Sequence, residues 1–277
     1  MPSKSRRRGP DWAKEIRHRI NAGRVAVEAQ IPFFRDQLGR VSREFKEDQT
    51  PVTFADYAIS EKVIGSLSED FPEDVFCSEE SNPADEVLAL DTPFSWIIDP
   101  IDGTKNFADG YPVCSISLAL LKGGTPIYGF VYDMTRDVLI EGGPDFGVTE
   151  KRKKLRPEHR SALDRQTTIG LHFPMKPEIL CKFEPLMSTY RVRSLGSAAL
   201  AGAYIGNGLM DGVIDFKVSV WDIAAAYAIA LGAGAEFHFI EEDIFPMTSF
   251  HVNQGKTPFY SGSPVFCRYV ESLLRGS

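Results

Sequence analysis

The run Trp96-Ile97-Ile98-Asp99-Pro100-Ile101-Asp102-Gly103-Thr104-Lys105-Asn106-Phe107 constrains this chain more than any other stretch. Its opening residues are bulky and apolar and read as a short buried strand over Ser95 to Ile98. Pro100 has no N–H to donate and is expected to end the ladder. Asp99 and Asp102 then project from a turn, and Gly103 lets backbone come close to a ligand. Two carboxylates with a carbonyl between them suit Mg²⁺ better than zinc or copper. Asp-Pro and Asp-Gly are also ordinary turn formers. The run therefore gains its weight from two further acidic sites: Glu79-Glu80, following one strand, and Asp222, opening a helix.

Composition narrows the function classes. A length of 277 residues allows one large domain or two mid-sized ones, and 43% hydrophobic with 25% charged residues is the balance of a soluble globular protein. A net charge of −7 argues against a dedicated nucleic-acid binder, yet not against phosphate substrates, since bound divalent cations invert the local field. Cys77, Cys114, Cys181 and Cys267 are scattered and read as reduced core thiols of a cytoplasmic protein, without the spacing of a zinc site. His18, His159, His172, His238 and His251 show no ligand spacing either. The longest apolar stretch, Ile223 to Ala235, is shorter than the roughly 18–20 residues a membrane span needs. Lys4, Arg6, Arg7 and Arg8 are followed by no apolar segment and read as a basic tail, not a secretory signal.

Periodicity divides the chain. Asp11 is expected to cap a helix to about Leu38, and after a polar connection over Lys46 to Pro51 a second helix spans Thr53 to Leu67 with Asp56 near its start. Strands follow at Val75 to Cys77, at Ser95 to Ile98, and as a hairpin of Ser115 to Lys122 with Pro126 to Asp133 across Gly123-Gly124; Val138 to Glu141 adds another. The basic, polar segment Glu150 to Arg165 reads as a solvated loop. It separates an α+β half over residues 1–150 from an α/β half over 151–277. In the second half strands are expected at Thr167 to His172, Gly212 to Phe216 and Glu236 to Ile240, and helices at Pro177 to Thr189, Ser197 to Gly206 and Ile223 to Leu231.

Three other chemistries fail on spacing. A haloacid-dehalogenase-type phosphatase needs carboxylates two apart, whereas Asp99 and Asp102 are three apart. Gly206-Asn207-Gly208 lacks the third glycine of a dinucleotide loop, Asp211 standing there, and no G-x-S-x-G elbow is present.

The segment Trp96 to Phe107 resembles the first hallmark of the inositol monophosphatase family, Mg²⁺-dependent and lithium-sensitive sugar phosphatases. Trp221-Asp222-Ile223-Ala224-Ala225-Ala226, continued by Gly232-Ala233-Gly234-Ala235, resembles the second. Ser78-Glu79-Glu80-Ser81 is similar to the family's G-E-E-S, with Ser78 where Gly is usual; Thr53-Phe54-Ala55-Asp56 resembles its T-x-x-D, and Gly196-Ser197-Ala198-Ala199 its G-[ST]-A-A. The matches stand in family order over roughly residues 46 to 237. The resemblance implies a layered α/β sugar-phosphatase fold, αβαβα, with an antiparallel sheet in the first half and a smaller mixed sheet in the second. It implies one Mg²⁺ on Glu79, Asp99 and the Ile101 carbonyl, a second on Asp99, Asp102 and Asp222, and a third, weaker one near Asp56 and Glu79. Thr104 with Glu79 would orient the attacking water, Gly103 and Thr104 N–H groups would cradle the phosphate, and Ala198 and Asp215 would meet the organic part of a small phosphate monoester. A homodimer and lithium inhibition are implied in the same way.

This chain departs from the family in places that bear on the substrate. Lys105 stands where many inositol phosphatases have Thr and resembles relatives acting on 3′-phosphoadenosine nucleotides, as does Thr50 to Asp56; it either pairs with a second anionic group or points to solvent. Asp215 replaces the more usual Glu, and residues 141 to 165 lack the family's N-G turn. An inositol-1-phosphate-type substrate leads, ahead of a 3′(2′),5′-bisphosphate nucleotide, fructose-1,6-bisphosphate and histidinol phosphate. The non-enzyme reading is a phosphatase-like module binding RNA or a transcription complex through Arg6-Arg7-Arg8 and Lys151 to Lys154.

Overall fold

The structure, a computed structural model, describes residues 11–42, 44–45, 51–83 and 85–275. The basic tail at Lys4 to Arg8 and most of the connection after Phe45, including Thr50, lie outside the described residues. Asp11 caps helix α1 (Trp12–Gln37), accepting from Lys14 N at 3.2 Å. A two-stranded ribbon of β1 (Glu44–Phe45) and β2 (Pro51–Val52) leads to α2 (Phe54–Asp70). Then come β3 (Val75–Ser78), β4 (Leu88–Ala89), β5 (Phe94–Asp102), the short α3 (Thr104–Ala108), β6 (Ser115–Lys122), β7 (Thr125–Asp133), β8 (Val138–Gly143), β9 (Gly147–Glu150) and β10 (Lys153–Lys154). The remainder is β11 (Thr168–Leu171), α4 (Pro177–Thr189), β12 (Arg191–Arg193), α5 (Ala198–Gly206), β13 (Gly212–Asp215), α6 (Val220–Gly232), β14 (Glu236–Phe239), β15 (Ser249–Phe250), β16 (Phe259–Gly262) and α7 (Pro264–Arg275).

Two sheets organise these elements. Seven strands run in the order β10-β9-β8-β7-β6-β5-β3, antiparallel except for the parallel pair β3 and β5. Five run β12-β11-β13-β16-β14, parallel at β12-β11-β13 and antiparallel beyond. Side-chain alternation sorts the layers. From β5, Trp96 and Ile98 join Ile20, Val27 and Phe34 of α1 and Ile59 and Val63 of α2. Ile97 points the other way, into a core shared with Leu200 of α5 and Ala224 and Ile229 of α6. Ala201 of α5 and Ile223 of α6 meet Val213 and Phe259 of the second sheet. That sheet's outer face, with Ile214 and Tyr260, packs Phe183 of α4 and Phe266 and Val270 of α7. The layering is therefore α-β-α-β-α, as the family resemblance implied.

The central helices are thin because both of their faces are covered. Helix α6 is apolar nearly all round, with Ala at most contact positions, as a helix between two sheets must be. A Cβ on Gly129 of β7 would stand 2.2 Å from the Ala225 carbonyl oxygen, and one on Gly202 of α5 2.5 Å from the Ala226 Cβ. No larger residue fits between these backbones, and their separation fixes how α6 lies over the sheet. Among the described residues no helix is long and apolar enough to cross a membrane.

Three sequence expectations change. Strand β5 does not stop at Pro100 but continues to Asp102 through a bulge: Asp99 pairs with Ser117 and Asp102 with Ser115, three residues advancing on one strand against two on the other. Proline is tolerated because a bulge leaves its position without a ladder partner. In the basic segment read as a loop, Lys153–Lys154 forms the outer edge strand of the first sheet, and Arg152 pairs with Glu28 at 2.9 Å. Cys181, read as a core thiol, is exposed on α4. Beyond Ile240 the sequence reading offered nothing, yet β16 is a buried strand inside the second sheet and α7 covers that sheet's outer face.

Gly129→Ala is expected to lower stability by about 1–3 kcal/mol or more, the usual penalty of overpacking. Chemical denaturation of the purified variant beside the parent checks it; unchanged stability would contradict the tight seat of α6.

Candidate metal centre

The bulge decides where the acidic side chains go. In a regular strand, residues three apart face opposite sides. Here the extra residue turns Ile101 into the α1–α2 core, although Ile97, of the same parity, belongs to the opposite core. Asp99 and Asp102 thereby share the side on which α5 and α6 begin. Asp99 Oδ1 accepts from Ile101 N at 3.1 Å, closing the bulge on itself. Glu79 follows β3 beside it, its N–H reaching the Ile98 carbonyl at 3.4 Å. Asp222 comes from α6. Carboxylate oxygens of Glu79, Asp99 and Asp222 all lie within 4.8 Å of one another.

Two of the acids double as helix caps. The sequence reading has Asp222 opening its helix; in the structure Ser219 is the N-cap and Asp222 sits within the first turn, its Oδ2 accepting from Ser219 N at 2.7 Å. Asp56 repeats the arrangement in α2, Oδ2 accepting from Thr53 N at 2.8 Å and from Thr53 Oγ1 at 2.6 Å. Asp56 Oδ1 is 3.5 Å from Thr104 Oγ1, which donates to the Ile101 carbonyl at 3.0 Å. Thr104 thus joins the carbonyl and the acid that the resemblance placed around the ions.

Asp102 stands differently. Its oxygens accept from Ser197 Oγ, from Ser115 Oγ at 3.2 Å, and from Ala198 N at 3.1 Å and Ala199 N at 2.9 Å. It lies against the N-terminus of α5, where the helix dipole favours an anion. Gly103 follows it with φ of +89°, a left-handed conformation, and a Cβ there would come 3.0 Å from the Gly196 carbonyl oxygen. Ala198 and Asp215 line one small cavity with His172 and Arg193. Asp215 Oδ1 accepts from Lys217 N at 2.8 Å, and Oδ2 lies 3.5 Å from His172 Nδ1. Lys105 is exposed and pairs with Asp109 at 2.6 Å.

The electrostatics follow from this crowding. Burial, then repulsion from Glu79, Asp102, Asp222 and Asp56, raises Asp99 well above the usual carboxylate range. Burial and repulsion from Asp102 and Glu79 do the same to Asp222, opposed by the Ser219 N–H and by Lys256. Burial pushes Asp102 up to about 6 against the pull of Ser197 and the α5 backbone. Burial also raises Asp215, with His172 opposing it. A cage of carboxylates that repel one another, with only oxygen donors, fits Mg²⁺ and not a thiophilic metal.

Some participants were not among the sequence candidates. Ser115, Ser219, His172 and Lys256 emerge only from the fold, Lys256 Nζ donating to Ser219 Oγ at 3.0 Å. Ser219 had a local signal, a Ser three residues before an Asp at a helix start. Lys256 had none, because only tertiary packing brings it to Ser219.

The sequence profile of the inositol monophosphatase family matches residues 12–260. The chain belongs to the inositol monophosphatase family. It is a Mg²⁺-dependent phosphatase of the wider superfamily that also holds fructose-1,6-bisphosphatases. A fructose-1,6-bisphosphatase/inositol-1-monophosphatase of Aquifex aeolicus is 25% identical over 83% of this chain and 88% of its own length. A Nus factor SuhB of Pasteurella multocida is 33% identical over 66% and 69%, and inositol monophosphatase 1 of Bos taurus 30% over 66% and 69%. The fold matches the extragenic suppressor protein suhB of Bartonella henselae with a TM-score of 0.79 at 24% identity, covering 93% of this chain and 98% of that one.

Carboxylates with raised pKa values destabilise the metal-free fold as pH climbs from the unfolded-state range through the folded one, and a cation removes that penalty. Excess Mg²⁺ is therefore expected to raise Tm more at pH 7.5 than at pH 5. Thermal melts in Mg²⁺ and in chelator at both pH values check this; an equal gain would exclude these carboxylates as the source.

Proposed function

We propose that this phosphatase hydrolyses an inositol-1-phosphate-type monoester of a small polyol, with Glu79, Asp99, Asp102, Asp222 and the Ile101 carbonyl holding two Mg²⁺ ions and Asp56 bearing on a third. The observation that carries the reading is that Asp102, whose charge bears on Asp99 and Asp222, is bonded by Ser197 and Ala198, which also line the Asp215 cavity. Bound there, the ions would neutralise the phosphate oxygens and the leaving alkoxide and acidify an attacking water. Thr104 and Glu79 orient that water, the Thr104 hydroxyl being held between the Ile101 carbonyl and Asp56. The N–H groups of Gly103 and Thr104 cradle the phosphate, in a turn that the left-handed Gly103 permits. Asp215 accepts a hydroxyl of the organic part beside Ala198, a role for which its burial and its hydrogen bond from Lys217 hold it in place.

Lys105 and the Thr50 to Asp56 segment are the sequence features that resemble bisphosphate nucleotidases, and the surface pairing of Lys105 with Asp109 favours the monoester reading over that one. The name of the Aquifex relative keeps fructose-1,6-bisphosphate as the second substrate to assay. Dimerisation, lithium inhibition and a cytoplasmic location belong to the same reading; light scattering and a Li⁺ titration of activity test the first two.

Phosphate release is expected to favour inositol-1-phosphate in kcat/KM over adenosine 3′,5′-bisphosphate, fructose-1,6-bisphosphate and histidinol phosphate, and to vanish in chelator. A preference for another of the four would replace the substrate and leave the chemistry. Asp99→Asn is expected to cut kcat/KM by at least about 100-fold, since even outer partners of a metal site cost 10–100-fold. In chelator the same variant should melt no lower than the parent, because one repelling charge is gone. A folded, fully active Asp99→Asn would defeat the assignment.

A further inference from the structure

A second group of donor atoms lies on the outer face of the five-stranded sheet. Glu236 and His238 are two residues apart on the edge strand β14 and so share one face. Phe237 points the other way and stacks on Phe259 at 4.6 Å, inside the core against α5 and α6. Cys267, in the first turn of α7, meets Glu236 and His238 across the outer face and is 2% exposed. His238 Nε2 lies 3.1 Å from Glu236 Oε2. The Cys267 sulfur, a ring nitrogen of His238 and a carboxylate oxygen of Glu236 are all within 4.8 Å of one another.

This donor set differs in kind from the oxygen cage of the phosphatase centre and shares no residue with it. A thiolate, an imidazole and a carboxylate are the ligands of zinc. Zinc takes them at about 2.0–2.3 Å in a tetrahedron, which puts donors about 3.3–3.7 Å apart. Small side-chain movements bring the three atoms to that spacing. The surroundings hold them in place: the His238 ring stacks on its cross-strand neighbour Tyr260 at 5.0 Å, and Ser261 Oγ donates to the Glu236 carbonyl at 2.7 Å. The side chains of Glu236 and His238 are 42% and 45% exposed, so an ion has a path in and a water can fill the fourth corner.

We propose that Glu236, His238 and Cys267 form a zinc site that fastens the edge strand β14 to helix α7. On binding, the Cys267 S–H proton leaves to solvent and the sulfur forms the metal bond; thiolate and carboxylate together balance the two charges of the ion. Spacing along the chain gave no hint of the site, since Cys267 reaches it only through the fold.

The full-length protein, with its phosphatase centre held in excess Mg²⁺, is titrated with Co²⁺ as a spectroscopic substitute. A near-ultraviolet thiolate-to-cobalt absorption saturating at one equivalent per chain, and bleached by Zn²⁺, is the expected result. Oxygen ligands alone give no such band. Cys267→Ala should abolish it while leaving Mg²⁺-dependent phosphatase activity intact. The partly exposed His238→Ala should weaken cobalt binding by about tenfold or more, the scale on which even outer partners act. Absence of the band in the parent protein overturns the proposal. So does a band that survives in Cys267→Ala, which would belong to another thiol such as the exposed Cys181. Unchanged affinity in His238→Ala overturns it as well, whether or not the cysteine variant folds.

Discussion

The bulge between Asp99 and Asp102 reverses the alternation of β5, and the layout of the acidic centre follows from that reversal. Without it the two carboxylates would lie on opposite faces, one of them in the apolar core beneath α1 and α2. With it, Ile101 fills that core while both acids look toward the starts of α5 and α6. Those helices begin there because small residues let them lie flat between two sheets. The local backbone irregularity and the global layering thus solve the same problem from two directions.

Crowding charge in a buried place is unfavourable, and the frame resists it by geometry. Asp56 and Asp222 are tied into the first turns of their own helices, Asp102 is fixed by two backbone N–H groups of α5 and by two serine hydroxyls, and Asp99 is folded back on its bulge. None of these ties involves a cation, so repulsion cannot swing the acids apart without undoing secondary structure. The centre is preorganised in the sense that matters for catalysis, with its groups in position before substrate arrives.

Much of this was legible in the sequence. The apolar-to-acidic run at Trp96, the paired glutamates after a strand and the Asp at a helix start were each visible, and the family resemblance joined them into one site and one layered fold. The two central helices could be read from their small apolar residues. What escaped depended on contacts far apart along the chain. Pro100 looked like a strand end because the bulge that accommodates it is a property of the pairing with β6. Lys105 left two options open; in the structure it is exposed and pairs with Asp109. Strand β16 is short and lies between β13 and β14, so its pairing could not be seen locally. The clustering of Glu236, His238 and Cys267 was hidden for the same reason.

The capping role of Asp56 and Asp222 has a consequence for how such a centre can change over evolutionary time. Each side chain serves two masters: remove it and a helix end frays along with the loss of a negative oxygen. Under the proposed function, replacements that keep the cap but not the charge, such as Asn, would preserve a folded protein without its chemistry. Catalytically silent descendants are therefore a short mutational step away, and they would retain the entire architecture as a ready-made platform for binding something else.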